Sequence, residues 1–240
     1  MIGTRVGRTR RGMAGQWAGR ALLIVLAGCL ALVWNHAVQA AQPATVTFTL
    51  DFPHSDPEHY FIAVQSDGHA RYESSAKISA DSDERETYRT EFSVSDETRA
   101  QIFELTARAH YFSGKIDSGN RKIAFTGSKK LVYKDALREI TAAYNFSPQL
   151  AVQQLTTLFQ SVSATLEFAR HLAYYHRYQK LALDDELKRM EDAIRRGDVM
   201  ELQAARPVLQ EIYDDTSVMN VVRARAQRIM EMGNGAGAPH

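Results

Sequence analysis

An apolar stripe with a seven-residue repeat runs from residue 152 to residue 194 and limits what this chain can fold into. Two interleaved series form the stripe, and eleven of their thirteen positions are apolar. The series are Val152, Phe159, Leu166, Ala173, Lys180, Leu187 and Ile194, alternating with Leu155, Val162, Ala169, His176, Leu183 and Met190. This pattern predicts one long amphipathic helix, or two collinear helices joined near Lys180, about 65 Å long at about 1.5 Å per residue.

A helix longer than a small domain is wide needs something to cover its apolar stripe. One covering is internal: helices predicted over about 199–213 and 218–230 fold back on the distal half as a hairpin. The other is a second copy of the protein, with His176 and Lys180 as the polar positions that set the register of a coiled coil. For the proximal half, dimerisation stays open, and Phe159 and Leu166 are the candidate contact residues.

Before residue 147 the period changes from that of a helix to that of strands. Val46, Phe48 and Leu50 alternate with threonines, which is typical of a half-buried strand. Asp67-Gly68 lies between two such segments and predicts a hairpin turn, because both residues tolerate positive φ. About seven strands are predicted, over 45–50, 60–64, 70–74, 87–94, 123–125, 131–133 and 137–144.

The helix boundaries follow from capping residues. Ser95 predicts the start of a helix that runs to about Phe112, and Ser147-Pro148 predicts the start of the long helix. The fold class is therefore α+β: an antiparallel sheet domain with one helix, followed by a long amphipathic helix and a C-terminal helical hairpin.

The first forty residues are predicted to be an export signal. They carry five arginines and no acid, then an apolar run over 21–34, and then small residues that place a cleavage site before Ala41. About 14 apolar residues are too few for a membrane span, which takes about 20. The resulting divisions are a signal peptide (1–40), a sheet domain (41–146), a helical region (147–232) and a flexible tail (233–240).

Two alternatives to cleavage stay open for this leader. Leu26-Ala27-Gly28-Cys29 matches a bacterial lipobox, so Cys29 is a candidate for lipid attachment, and a retained signal anchor is the other alternative. Otherwise the chain contacts the membrane only during export. A twin-arginine signal is not distinguished from an ordinary one, although Arg10-Arg11 resembles its motif.

Charge and cysteine content exclude several classes of function. Without the leader's five arginines, the 29 basic residues fall to 24 against 28 acidic residues, a net charge of −4. A nucleic-acid partner is therefore not expected, because such proteins gather a basic excess on one face. Cys29 is the only cysteine, so cleavage leaves no disulfide and no cysteine-ligated metal. No cofactor motif is present, and Gly127-Ser128-Lys129 lacks the upstream glycine of a phosphate loop.

Polar residues in one loop form the densest group of candidate metal ligands. They are His54, Asp56, Glu58 and His59. Their spacing matches no metal motif, so a polar loop between strands is the favoured interpretation, and no metal is predicted. On the long helix, His171 follows Glu167 by four residues, a spacing that predicts a hydrogen bond between the two side chains.

Consecutive aromatic residues near the end of the stripe form a candidate interaction surface. Tyr174, Tyr175, His176 and Tyr178 cover much of the circumference of a helix, so they cannot all face one core. Tyrosine is enriched where a protein meets another molecule. Packing of these residues against the sheet is the alternative.

Two resemblances bear on the fold. Residues 207–215, followed by Val221-Val222-Arg223-Ala224-Arg225-Ala226, resemble a single HEAT-type helical repeat. Over the whole mature length, the chain resembles an uncharacterised group of secreted bacterial proteins. That resemblance rests on residues 51–53, 66–70, 124–127, 133–135, 152–155 and 176–184. It implies export and a shared architecture, and it implies no catalytic residues.

These observations predict a non-enzymatic binding or scaffold protein of the periplasm or cell envelope. The helical arm would bind a protein partner or a second copy of the chain. The rival interpretation is a periplasmic enzyme, such as a hydrolase, whose pocket would bring His54, His59 or His69 together with two carboxylates. A membrane-tethered lipoprotein scaffold is a third hypothesis.

Overall fold

The computed structural model describes Gly3, residues 42–77 and residues 85–235. The predicted leader, Cys29 and most of the predicted tail therefore lie outside the described residues. The chain divides between Ala41 and Gln42, and all the elements below belong to the unit that begins at Gln42.

Six strands of the described residues form one antiparallel sheet, in the order β4-β3-β2-β1-β5-β6. Neighbouring strands pair along their length. Phe48, for example, lies opposite Ile62 on one side and opposite Leu131 on the other. The strands are β1 (Thr45–Asp51), β2 (His59–Gln65), β3 (His69–Lys77), β4 (Arg85–Ser93), β5 (Ser128–Lys134) and β6 (Glu139–Tyr144). With the helices that follow, the sheet confirms the predicted α+β class.

Two predictions about the sheet have different outcomes. The hairpin at Asp67-Gly68 is confirmed, since Gly68 has a φ of 91° and joins β2 to β3. The strand predicted over residues 123–125 is wrong. There the side chain of Asn145 accepts a hydrogen bond from the Thr126 amide and donates one to the Ala124 carbonyl, so a side chain replaces a neighbouring strand as partner.

Helix α1 (Asp96–Arg108) begins where the capping residue predicts. The Ser95 hydroxyl accepts a hydrogen bond from the Thr98 amide at 3.2 Å. The helix ends four residues earlier than expected because His110, Tyr111 and Phe112 adopt left-handed φ angles of 50°, 54° and 68°. Right-handed helix cannot continue through left-handed backbone.

Helix α2 (Leu150–Tyr178) is the predicted long helix, but its N-cap is Gln149 and not Ser147. Gln149 is extended, and its carbonyl accepts hydrogen bonds from the amides of Val152 and Gln153. The first half of α2 packs on the sheet, where the rings of Phe48 and Phe159 stack 5.4 Å apart. Its residues in this first core are Ala151, Val152, Leu155, Leu158, Phe159, Val162 and Leu166.

The prediction of collinear helices past Lys180 is wrong. Gln179 leaves helical geometry with a φ of −145°, and after one short turn helix α3 (Leu183–Arg196) folds back along α2. His171 of α2 therefore lies 3.0 Å from Glu186 of α3. Leu183 and Leu187 pack beside Leu172 and do not extend the stripe outward.

Helices α4 (Arg206–Asp214) and α5 (Asn220–Gly235) complete the structure. Pro207 lies in the first turn of α4, as the helical-repeat resemblance implies. Together with the second half of α2 and with α3, they enclose a second core that contains Leu172, Leu209 and Val222. The predicted internal covering of the distal half is therefore confirmed. No helix within residues 42–77 and 85–235 is long and apolar enough to cross a lipid bilayer.

Candidate functional site

The loop between β1 and β2 does not bring its four polar residues together. The His54 amide donates to Glu58 at 3.3 Å, and Glu58 also pairs with Arg85 of β4. The ring of His59 lies 2.5 Å from Asp51 across the strand pair. The predicted polar loop is thus divided among separate partners, and its remaining acid, Asp56, contacts a helix.

Asp56 extends from this loop to helix α2. Its carboxylate lies 3.2 Å from Arg170 Nη2 and 3.6 Å from His171 Nε2. Arg170 Nε donates to Glu167 at 2.7 Å, and the other Glu167 oxygen accepts a bond from the buried Tyr72 hydroxyl at 2.6 Å. The three α2 residues share one face of the helix because they are spaced by three and four.

Helix α3 closes the other side of this group. His171 Nδ1 lies 3.0 Å from the fully buried Glu186, which also pairs with Arg189. We use the name junction cluster for Asp56, Tyr72, Glu167, Arg170, His171, Glu186 and Arg189. The cluster joins a loop, a central strand and two helices, and it lies where the two cores meet.

The charges of the junction cluster balance when His171 is protonated. Three carboxylates then face two guanidinium groups and one imidazolium. The 2.9 Å contact between Arg170 Nη2 and His171 Nε2 by itself suits a neutral ring, but acids on both sides of the ring outweigh it. Burial opposes protonation, yet hydrogen bonds with Asp56 and Glu186 raise the pKa of His171 to about 9.

The pKa shifts of the neighbouring groups agree with a protonated His171. The hydrogen bond with His171 and the charge of Arg170 lower the pKa of Asp56, against its partial burial. Burial and the adjacent Glu167 carboxylate raise the pKa of Tyr72 well above 10, so its hydroxyl stays a donor. The cluster is therefore an ionic network with each charge paired.

Three members of the cluster also have the donor atoms of a metal site. One ligand atom each from Asp56, Glu167 and His171 lies within 4.8 Å of the others. The guanidinium of Arg170 contacts all three residues, at 3.2, 2.7 and 2.9 Å. A divalent cation would have to displace Arg170 and remain beside its charge, so these donors fit the guanidinium better than a metal.

The structure corrects two of the predicted interaction residues and separates the other four. Phe159 and Leu166 are fully buried in the first core, so neither side chain is available to a partner. Tyr175 packs against the second core, while Tyr174 and Tyr178 are exposed.

The end of α2 is fixed to the turn after α4. His176 Nε2 lies 2.9 Å from Asp215, and Lys180 Nζ lies 2.6 Å from the same carboxylate. Several hydrogen bonds hold the pKa of Asp215 far below its usual range, and the bond from Lys180 lowers it most. His176 and Lys180 therefore bond within the chain, and the prediction that they set the register of a dimer is wrong.

The sequence patterns indicate only part of the junction cluster. The spacing of Glu167 and His171 was a correct signal that both lie on one helix face, but the predicted bond between them is wrong. Glu167 bonds Tyr72 and Arg170, whereas His171 bonds Glu186. Only the reversal of the chain after α2 brings Glu186 to this position.

No protein-family model matches the chain, and a search of curated proteins returns no match.

Proposed function

We propose that this chain is an exported, non-enzymatic binding protein of the cell envelope that docks a partner protein on the exposed end of helix α2. The docking surface, here called the tyrosine face, consists of Ala173, Tyr174, Arg177, Tyr178 and Leu181. The observation that carries the proposal is the exposure of its large apolar groups: Tyr178 is 62% exposed and Leu181 is 84% exposed. Contiguous exposed apolar groups of this kind mark sites of interaction.

The tyrosine face is ordered by contacts on both sides of α2. Tyr174 and Tyr178 are four residues apart, and their ring centroids are separated by 5.1 Å. On the other side of the helix, His176 and Lys180 bind Asp215, which fixes the helix end. Rigid tyrosines lose little conformational entropy when a partner binds them.

Charge indicates what kind of partner fits. The guanidinium of Arg177 lies 5.3 Å from the Tyr178 ring centroid, and within the described residues it pairs with no carboxylate. We infer a partner surface with an apolar groove bordered by acidic side chains. A symmetric contact with a second copy would instead bring Arg177 close to its own equivalent, which like-charge repulsion disfavours.

Two further observations support the proposal, one its non-enzymatic part and the other export. The histidines of the rival hydrolase pocket lie in separate pairs, His59 with Asp51 and His69 with Glu91. The leader composition supports export, because a basic segment precedes the apolar run and small residues follow it.

Site-specific photo-crosslinking in cells tests the docking surface. A benzoylphenylalanine residue replaces Tyr178 in one variant and Leu137 in a matched control, because Leu137 is 95% exposed in a turn far along the sequence. We expect one predominant adduct from position 178 and none from position 137. Adding Arg177→Glu should remove the adduct.

Affinity for the purified partner completes the test. Leu181→Asp should weaken binding at least tenfold, while Leu137→Asp should leave it unchanged. Equal adducts from both positions would contradict the proposal. An adduct of twice the chain mass would replace the partner protein by a second copy.

A further inference from the structure

Lys129 is a buried lysine on the helix-facing side of strand β5. It is only 5% exposed and lies on the same buried face of the strand as the core residues Leu131 and Tyr133. Lysine is almost never fully buried unless it is paired with an acid. The contacts of its ammonium group therefore show how the surrounding residues stabilise a buried positive charge.

The ammonium group of Lys129 contacts neutral oxygens. It donates to the Thr126 carbonyl and hydroxyl, both at 2.9 Å, to the Gly127 carbonyl at 3.2 Å and to the Asn145 carbonyl at 3.1 Å. Four acceptors for three N–H groups favour the charged form, although burial lowers the pKa of Lys129. Among residues 42–77 and 85–235, no carboxylate is within ion-pair distance of this nitrogen.

Gly127 makes this arrangement of oxygens feasible. Its φ is +96°, and a Cβ at this position would lie 2.7 Å from Leu50 Cδ1 and 3.0 Å from Phe52 Cβ. Only glycine lets the turn approach β1 so closely and present its carbonyls to Lys129. The turn is thus shaped around the ammonium group.

A cavity of about 180 Å³ opens beside this charge, between β6 and the start of α2. Thr157 lines the cavity, and its hydroxyl makes no hydrogen bond within the described part of the chain. Gln153 also lines it and donates one of its two amide hydrogens to Ser147, at 2.9 Å. Phe146 gives the cavity an exposed aromatic wall.

We propose that this cavity binds a small organic monocarboxylate. The charge of Lys129 attracts the carboxylate, the free Thr157 hydroxyl and the second Gln153 amide hydrogen donate to it, and Phe146 packs against its apolar tail. A cavity of about 150 Å³ in another protein holds benzene, so this one suits a ligand of about six non-hydrogen atoms. This site is independent of the tyrosine face.

One uncompensated positive charge fits a monoanion better than a phosphate. Phosphate sites supply several backbone amides or a bidentate arginine to a group of higher charge. Here the three N–H groups of Lys129 are shared among protein oxygens, so its charge acts at short range without a direct bond. An aromatic wall adds nothing for an inorganic anion but contacts the tail of an organic one.

Calorimetric titration of the full-length protein with butyrate, butyramide and inorganic phosphate tests the site. Butyrate and butyramide have the same number of non-hydrogen atoms and differ in charge. We expect butyrate to bind at least tenfold more tightly than butyramide and than phosphate. Equal binding of butyrate and butyramide, equal binding of phosphate, or no binding of butyrate would overturn the proposal.

Two variants locate the binding. Lys129→Met should abolish the preference for butyrate over butyramide, and circular dichroism checks that the variant folds, because four oxygens lose their donor. Thr157→Val, at an exposed position, should weaken butyrate binding several-fold while a preference over butyramide remains. An unchanged preference in Lys129→Met would place the anion elsewhere and end the proposal.

Discussion

His171 is the residue on which the charge balance of the junction cluster depends. It faces Asp56 from the loop, Glu186 from α3, and Glu167 and Arg170 from its own helix. Its side chain is mostly buried, so water screens its contacts with the acidic partners only in part. Protonation of this one ring therefore contributes to holding the loop and both helices together.

The raised pKa of His171 predicts a loss of stability at alkaline pH. A pKa raised from 6.5 to about 9 on folding contributes stability that is complete below pH 6.5 and is lost as pH rises through 9. We expect this contribution to be about 3 kcal/mol. Urea denaturation at pH 6 and pH 10 measures it.

His171→Gln is the matched control, because it keeps a hydrogen-bonding side chain without a titratable ring. The difference in unfolding free energy between the two proteins should shrink by about 3 kcal/mol between pH 6 and pH 10. Parallel pH dependence in both proteins would contradict an imidazolium at this position.

At the scale of elements, helix α2 contributes one half of its length to each of the two cores. Its first half packs on the sheet, its second half packs on α3 to α5, and no residue of its buried stripe before Leu172 is left for a dimer. The seven-residue repeat was a correct sign of burial. The partners that bury it are a sheet and a reversed helix, which do not require a coiled coil.

Phe159→Ala should therefore reduce stability without changing the oligomeric state. Removing a fully buried, stacked ring costs about 3–5 kcal/mol. Leu150→Ala, at an exposed position in the same helix, should stay within about 0.5 kcal/mol of the parent. Denaturation and light scattering would measure both effects, and halving of the mass with unchanged stability would restore the dimer hypothesis.

At the scale of the whole molecule, residues 42–235 depend on one shared helix. The sheet core includes six large α2 side chains, namely Val152, Leu155, Leu158, Phe159, Val162 and Leu166. Contacts divide the chain at Ala41 and Gln42, and not between the sheet and the helical region. We infer that the two cores fold as one cooperative unit.

A fragment of residues 42–146 should fail to fold alone. Without α2, one face of its sheet would expose the side chains that now pack on Phe159, which leaves too little apolar burial to stabilise a chain of this size. Near-ultraviolet circular dichroism and thermal unfolding should show no cooperative transition, in contrast to residues 42–235. A dispersed amide spectrum from the fragment would contradict this expectation.

The local sequence was sufficient for the elements whose signals are short-range. Alternation predicts β1, Asp67-Gly68 predicts the β2–β3 turn, and Ser95 predicts the start of α1, because pleating, positive φ and capping depend on neighbouring residues. The α+β class follows from those signals. The end of α1 was not predictable, since nothing in His110, Tyr111 and Phe112 demands left-handed backbone.

The tertiary structure alone decided where the charged residues meet. Asp56 and Glu186 are separated in sequence from His171 by very different intervals: the reversal after α2 brings Glu186 to the ring, whereas the packing of α2 on the sheet brings Asp56 there. Lys129 likewise has an unremarkable sequence context, and its buried charge arises from the Gly127 turn and β6. Periodicity reports which face of an element is buried, but the energy of a buried charge depends on groups that other elements supply.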